Sequence, residues 1–223
     1  MSPDEQRRRA LFLDLDGTLA DSLHVMRAAY AEFLGRFGRP ADDSEFASLN
    51  GPPLPEVVRR LQAAHGLPGD LDRLVAVYQS IVDDVYAGVA PTAGAPELLA
   101  AAKRAGWVVG VVTSSSAART RQWLARTGLH VDFVVAGEDT PRGKPHADPY
   151  LLALQRAERA AAAAVAVEDS PQGVAAALAA GIATYAYQPA GAPEWLWPAG
   201  TKQLSRLTEL IPHLTQAARR PSP

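Results

Sequence analysis

Two aspartates one residue apart close an apolar run and are followed at once by glycine, in Ala10-Leu11-Phe12-Leu13-Asp14-Leu15-Asp16-Gly17-Thr18-Leu19. The run reads as a buried strand, and Gly17 lets the backbone turn away sharply beyond it. Two carboxylates held this close repel by about 4 kcal/mol at an effective dielectric near 20. A cation that neutralises them, or a proton kept by one of them, relieves that repulsion. A purely structural strand end gains nothing from such a pair, which makes Asp14 and Asp16 candidate functional residues.

Three further groups stand where apolar runs end in the second half of the chain. Thr113-Ser114-Ser115-Ser116 follows one run and leads into a helical pattern, Glu168-Asp169-Ser170 follows another, and Lys144 lies in the loop after a third. Ligands of open parallel sheets bind beyond the carboxyl ends of the strands, a rule that would collect these groups in one place. Four carboxylates, a hydroxyl, an ammonium and a helix N-terminus suit a phosphate monoester and a hard divalent cation. Carboxylates and backbone carbonyls are the oxygen ligands that octahedral Mg2+ takes. Backbone amides after Thr113, around Ser114, can receive phosphate oxygens at a helix start.

Lys144 would set positive charge against the phosphoryl group and the carboxylates. Only Lys103, Lys144 and Lys202 are lysines among twenty-two basic residues. A site that needs a compact point charge rather than a guanidinium fork accounts for the exception. Replacing Lys144 is expected to cost activity with little change in folded stability. The stretch from Gly137 to Pro145 superficially resembles a P-loop, but its glycines are one residue too far apart and Pro145 replaces the required Ser or Thr.

These groups need a scaffold. Besides the first strand, β-type runs occur at 107–113, 131–136, 164–167 and 182–187, separated mostly by helical patterns at 96–105, 117–127, 149–159 and 174–180. Such alternation predicts an α/β fold with a Rossmann-like parallel sheet covered on both faces. Asp148 before Pro149 is expected to cap the third of these helices. Residues 22–89 differ: apolar residues such as Leu23, Met26, Tyr30 and Phe33, then Leu74, Tyr78 and Ile81, recur at helical spacing, with no strand pattern. This predicts a core of residues 1–21 and 90–223 with an all-α domain at 22–89 inserted after the first strand.

The 223 residues, 48% hydrophobic and 21% charged, fit a soluble globular protein, and a net charge of −2 offers no field to draw in nucleic acid or an anionic membrane. The Arg7-Arg8-Arg9 cluster reads as a solvated tail. No apolar stretch is long enough for a transmembrane helix, and only four apolar residues separate Arg9 from Asp14, too few for a signal peptide. With no cysteine, disulfides, thiol catalysis and zinc–thiolate sites are excluded, and a cytoplasmic location is expected.

The segment from Asp14 to Ser22, then Thr113, then Gly143 to Tyr150, then Val167 to Gly173 with Ala180-Gly181-Ile182 behind it, resembles the haloacid dehalogenase (HAD) superfamily, with four motifs in family order. The resemblance implies a Mg2+-dependent phosphatase of a small phosphorylated metabolite. It makes Asp14 the nucleophile that becomes an aspartyl-phosphate, and Asp16 the acid that protonates the leaving alcohol and then activates water. Thr113 would bind the transferring phosphoryl group and Lys144 would steady it. Asp169, with Glu168 alongside, would hold Mg2+ together with Asp14 and the backbone carbonyl of Asp16. The insert sits where the family places a helical cap.

A phosphomutase resembling β-phosphoglucomutase is the nearest alternative, weakened by Met26 and Leu54 where that enzyme carries histidine and arginine. Dehalogenases generally lack the second aspartate. A phosphoryl-responsive regulator or silent binding protein is the alternative from another class, but receiver domains have no helical insert. Beyond the main set, Glu138-Asp139 mimics Glu168-Asp169 at a strand end and is a lesser candidate for the site, His146 reads as a loop residue, and His24 or Arg27 on the first insert helix is a lesser candidate for substrate contact. Trp195 and Trp197 are expected to pack, and Ser115 and Ser116 to serve only as helix-start residues.

Overall fold

A computed structural model describes residues 9–190, 192 and 195–219; Arg7 and Arg8 of the basic cluster lie outside the described residues. The apolar run before the paired aspartates is strand β1, Ala10–Leu13, and every residue of it is buried. It lies mid-sheet because it pairs in parallel with both β2, Val108–Val112, and β4, Ala164–Glu168. With β3 (Phe133–Val135), β5 (Ala183–Tyr187) and β6 (Lys202–Leu204), the order is β3-β2-β1-β4-β5-β6, all parallel. Alternate side chains of β1 feed two cores, as the two-residue period of a strand requires. Leu11 and Leu13 face one apolar cluster, and Ala10 and Phe12 another that contains Tyr150 and Ala153.

Between β1 and β2 the chain forms α1 (Leu23–Gly35), α2 (Asp43–Ser48), α3 (Leu54–His65), α4 (Leu71–Tyr86) and α5 (Ala95–Arg104), the last packed on the sheet. The helical reading of 22–89 matches the first four, with no strand among those residues. Stacked rings of Phe33 and Tyr78, 4.7 Å apart, join α1 to α4. The two crossings between insert and sheet run side by side: the Asp21 N–H donates to the Ala90 carbonyl and the Thr92 N–H to the Leu19 carbonyl, at 3.0 and 2.8 Å.

After β2 comes α6 (Ala117–Thr127), then α7 (Asp148–Ala157) between β3 and β4, α8 (Pro171–Ala179) between β4 and β5, and α9 (Ile211–Arg219) after β6. Two elements escape sequence reasoning. β6 is three residues long with two of them exposed, and α9 follows a short 3-10 turn at 207–210. Asp148 is the first residue inside α7 rather than its cap, and its carboxylate accepts from Arg142 at 3.1 and 3.0 Å instead. No helix among the described residues is long and apolar enough to cross a membrane.

Candidate active site

The carboxyl ends of β1, β2 and β4 lie next to one another, so the residues that follow these strands meet at one edge of the sheet. The Asp14 N–H continues the ladder by donating to the Val167 carbonyl at 3.0 Å, and this fixes the carboxylate just past the strand. The turn beyond requires Gly17 twice over. Its φ is +78°, and a Cβ there would overlap the Asp169 carboxylate.

Lys144 reaches in from the loop after β3. Its Nζ lies 2.5 Å from Asp14 Oδ1 and 2.5 Å from Glu168 Oε1, and it donates to the Val112 carbonyl at 2.9 Å. The Tyr150 hydroxyl of α7 also donates to Glu168 Oε1. Glu168 is fully buried, and α8 accommodates it through Gly173, where a Cβ would overlap the carboxylate. Asp169 Oδ2 accepts from the Asn50 side-chain amide at 2.9 Å.

Burial raises the pKa of Asp14 well above the carboxylate range, with Lys144 only partly offsetting it. Burial likewise raises Glu168 against the pull of Lys144, and burial with the neighbouring Glu168 pushes Asp169 up to about 7. Burial alone would lower Lys144, but Asp14 and Glu168 outweigh it and hold the ammonium above its ordinary value. One buried cation therefore faces three buried carboxylates. Among the described residues Glu168 Oε2 has no hydrogen-bond partner, and Asp14, Glu168 and Asp169 each offer an oxygen within 4.8 Å of the others. An all-oxygen donor set with excess negative charge and an orphaned acceptor fits a hard divalent cation.

Asp16 stands apart from that acidic group. Its Oδ1 accepts from the Ser22 and Tyr86 hydroxyls, both at 2.8 Å, and its Oδ2 from the Ser115 hydroxyl at 2.6 Å. Thr113 Oγ1 accepts from the Ser115 N–H at 3.0 Å, tightening the loop at the end of β2. The Ser114 hydroxyl is used on the Gly51 carbonyl at 2.6 Å, so Ser114 can serve an anion only through its backbone. The N–H groups of Leu15, Asp16 and Ser114 find no acceptor among the described residues.

A cavity of about 570 Å3 opens over Asp14, Asp16, Thr113, Ser114, Lys144 and Asp169, roofed by insert residues including Leu23, Met26, Phe46, Asn50, Leu54 and Tyr78. Glu168 is not in its wall but behind it. Glu138 lines the cavity while accepting from the Ala117 N–H at the start of α6, whereas Asp139 turns back to Arg156 and the Ala136 N–H. Of the lesser candidates, neither His24 nor Arg27 lines the cavity. His24 is exposed beside Asp21, Arg27 pairs with Asp43, and it is Leu23 and Met26 of the same helix that line the cavity. His146 is exposed in its loop, and neither Trp195 nor Trp197 lines the cavity; the Trp197 indole donates to Gln188.

Ser116 caps α6 by accepting from the Arg119 N–H, but Ser115 is more than a helix-start residue because it holds Asp16. Sequence reasoning missed Asn50, Tyr86 and Arg119. Asn50 sits in a Gly-Pro segment that reads as helix punctuation, and Tyr86 and Arg119 sit within helices, where nothing local marks them.

A model of the haloacid dehalogenase-like hydrolase family matches residues 11–187. The chain is 34% identical over 178 residues to validoxylamine A 7'-phosphate phosphatase of Streptomyces hygroscopicus subsp. limoneus, spanning 78% of this chain and 82% of that protein. It is 33% identical over 220 residues to the plasmid phosphoglycolate phosphatase of Cupriavidus necator, spanning 94% of each. Among solved structures, CbbY of Rhodobacter sphaeroides in complex with phosphate superposes with a TM-score of 0.79 at 26% identity, over 91% of this chain and 96% of that one.

Proposed function

We propose that this chain, which belongs to the haloacid dehalogenase-like hydrolase family, hydrolyses a small organic phosphomonoester with the help of Mg2+ and through an aspartyl-phosphate on Asp14. The observation that carries the reading is the Asp14 carboxylate at the floor of the cavity, with the Lys144 ammonium 2.5 Å from its Oδ1. The phosphatase relatives support the reaction class.

In this reading the free N–H groups of Leu15, Asp16 and Ser114, with Thr113 and Lys144, hold the phosphoryl oxygens in line with Asp14. An Asp14 oxygen attacks phosphorus as the bond to the leaving oxygen breaks, and Asp16 passes that oxygen a proton. Asp16 then takes a proton from water as the water attacks the aspartyl-phosphate, which releases phosphate and restores Asp14. Asp14, Asp169, Glu168 and the backbone carbonyl of Asp16 would hold Mg2+, which when bound offsets negative charge on the phosphoryl oxygens. Residues 22–89 act as a cap that excludes water and meets the leaving group.

Two measurements test this. Turnover of phosphorylated metabolites should vanish in EDTA and return with added Mg2+; full activity in chelator would refute the metal requirement. Leu54→Ala should change the ratio of kcat/KM between esters of different leaving groups by about tenfold, with Mg2+ affinity unchanged, since a lost side chain in an apolar wall shifts discrimination on that scale. Equal losses on every ester, with weakened Mg2+ binding, would show that the insert serves the core instead.

A further inference from the structure

The cavity over Asp14 has two unlike halves. The half next to the sheet carries the acidic group, Lys144 and the hydroxyls after β2, whereas the half supplied by the insert is walled by Leu23, Met26, Phe46, Leu49, Leu54 and Val57. The polar side chains of the insert wall are few and largely committed. Asn50 donates its amide to Asp169 at 2.9 Å, and the Gln79 amide donates to Asp83 at 2.9 and 3.0 Å. Tyr78, 2% exposed and stacked on Phe33, brings the one hydroxyl of that wall, and it has no hydrogen-bond partner among the described residues. Two amide carbonyls and this hydroxyl are what the insert has left to offer a leaving group.

Among the described residues the cavity also has no cation to spare. Lys144 is held by Asp14 and Glu168, each at 2.5 Å, and Arg119 donates from Nε to Asp83 at 3.0 Å and from Nη1 to Ser115 at 3.4 Å. Glu138, the remaining charged side chain of the wall outside the Asp14, Asp16 and Asp169 group, is exposed and negative.

We infer that the leaving group is an uncharged, largely hydrocarbon alcohol, taken in preference to phosphorylated polyols. The inference rests on the reading of the site as a phosphatase centre and adds the class of ester it accepts. A volume of about 570 Å3 equals on the order of twenty waters, far more than a phosphoryl group fills, so the rest of the ester lies against the insert wall. Apolar carbon buried there is stabilised, and a hydroxyl that loses water there without finding a partner is penalised. A second phosphate or a carboxylate on the leaving group would lose its hydration and meet no free counter-charge. These contacts persist in the transition state, so the preference shows in kcat/KM.

The test compares cyclohexylmethyl phosphate with glucose 6-phosphate in the presence of Mg2+. Both are primary esters carrying a six-membered ring, and they differ in the ring oxygen and hydroxyls. kcat/KM should be at least about thirtyfold higher for the cyclohexylmethyl ester, the scale on which an apolar pocket rejects added hydroxyls. Fructose 1,6-bisphosphate should do no better than glucose 6-phosphate. Met26→Gln places an amide in the same wall at similar volume and should narrow the ratio at least about threefold, with Leu54→Gln carrying the comparison if it fails to fold. A smaller ratio in the wild type, a bisphosphate better than glucose 6-phosphate, or a ratio that the folded variant leaves unchanged overturns the inference. So does turnover of 4-nitrophenyl phosphate without turnover of the cyclohexylmethyl ester. A wild-type protein that hydrolyses none of these esters sinks the phosphatase reading itself, a separate outcome.

Discussion

Asp14→Asn is expected to retain the fold and lose turnover by at least about a thousandfold, the scale on which removal of a covalent nucleophile acts. The amide matches the carboxylate in shape but cannot form the phospho-enzyme. Lys144 still has Glu168 at 2.5 Å, so the buried ammonium keeps a counter-charge. Because burial already disfavours ionised Asp14, a neutral amide adds no desolvation penalty there. Wild-type protein should take up beryllofluoride in the presence of Mg2+ and the variant should not. Appreciable turnover by Asp14→Asn, with the asparagine verified by mass spectrometry, would end the covalent mechanism.

Lys144 carries the second large effect. Its ammonium sits between two carboxylates and a carbonyl, with its side chain 3% exposed. A planar, longer guanidinium has no room in that position. Lys144→Arg should therefore lose at least ~2 kcal/mol of transition-state stabilisation, roughly 30-fold in kcat/KM. Lys144→Ala should lose as much or more. Near-normal kinetics in the arginine variant would show that charge alone suffices, and in the alanine variant would remove the residue from the site.

The structure also revises the expectation that folded stability changes little. Removing the ammonium leaves Asp14 and Glu168 buried without a counter-charge, and breaking a buried pair in this way costs about 3–5 kcal/mol. The midpoint of thermal unfolding in chelator should fall clearly for Lys144→Ala, and Mg2+ should recover part of the loss by restoring positive charge. An unchanged midpoint in chelator would contradict the geometry described for this group.

Much of the core site is legible in the sequence because its residues are tied to strand ends. A parallel sheet brings the residues after β1, β2 and β4 to one edge whatever the connections do, so Asp14, Asp16, Thr113, Glu168 and Asp169 can be gathered from the order of apolar runs alone. Lys144 could be singled out because it departs from the chain's own preference for arginine. The helical insert is legible for a similar reason, since apolar spacing near 3.6 residues is a local signal.

The partners of these residues are not local. Asn50 meets Asp169 across 119 positions, Ser115 meets Asp16 across 99 and Tyr86 meets Asp16 across 70. The first and last depend on how the insert packs against the sheet edge and the second on β1 and β2 lying side by side, and no pattern within one element encodes either. The same limit hid β6, whose three residues become a strand because β5 offers an unpaired edge, not through any alternation of their own. It also misdirected the reading of α1: the sequence by itself determined that this helix follows the nucleophile, but only tertiary packing decided that Leu23 and Met26, rather than His24 and Arg27, turn to the cavity. Helix periodicity reports which residues share a face; which face meets the site follows from the packing of α1 against α4 and the core beneath it.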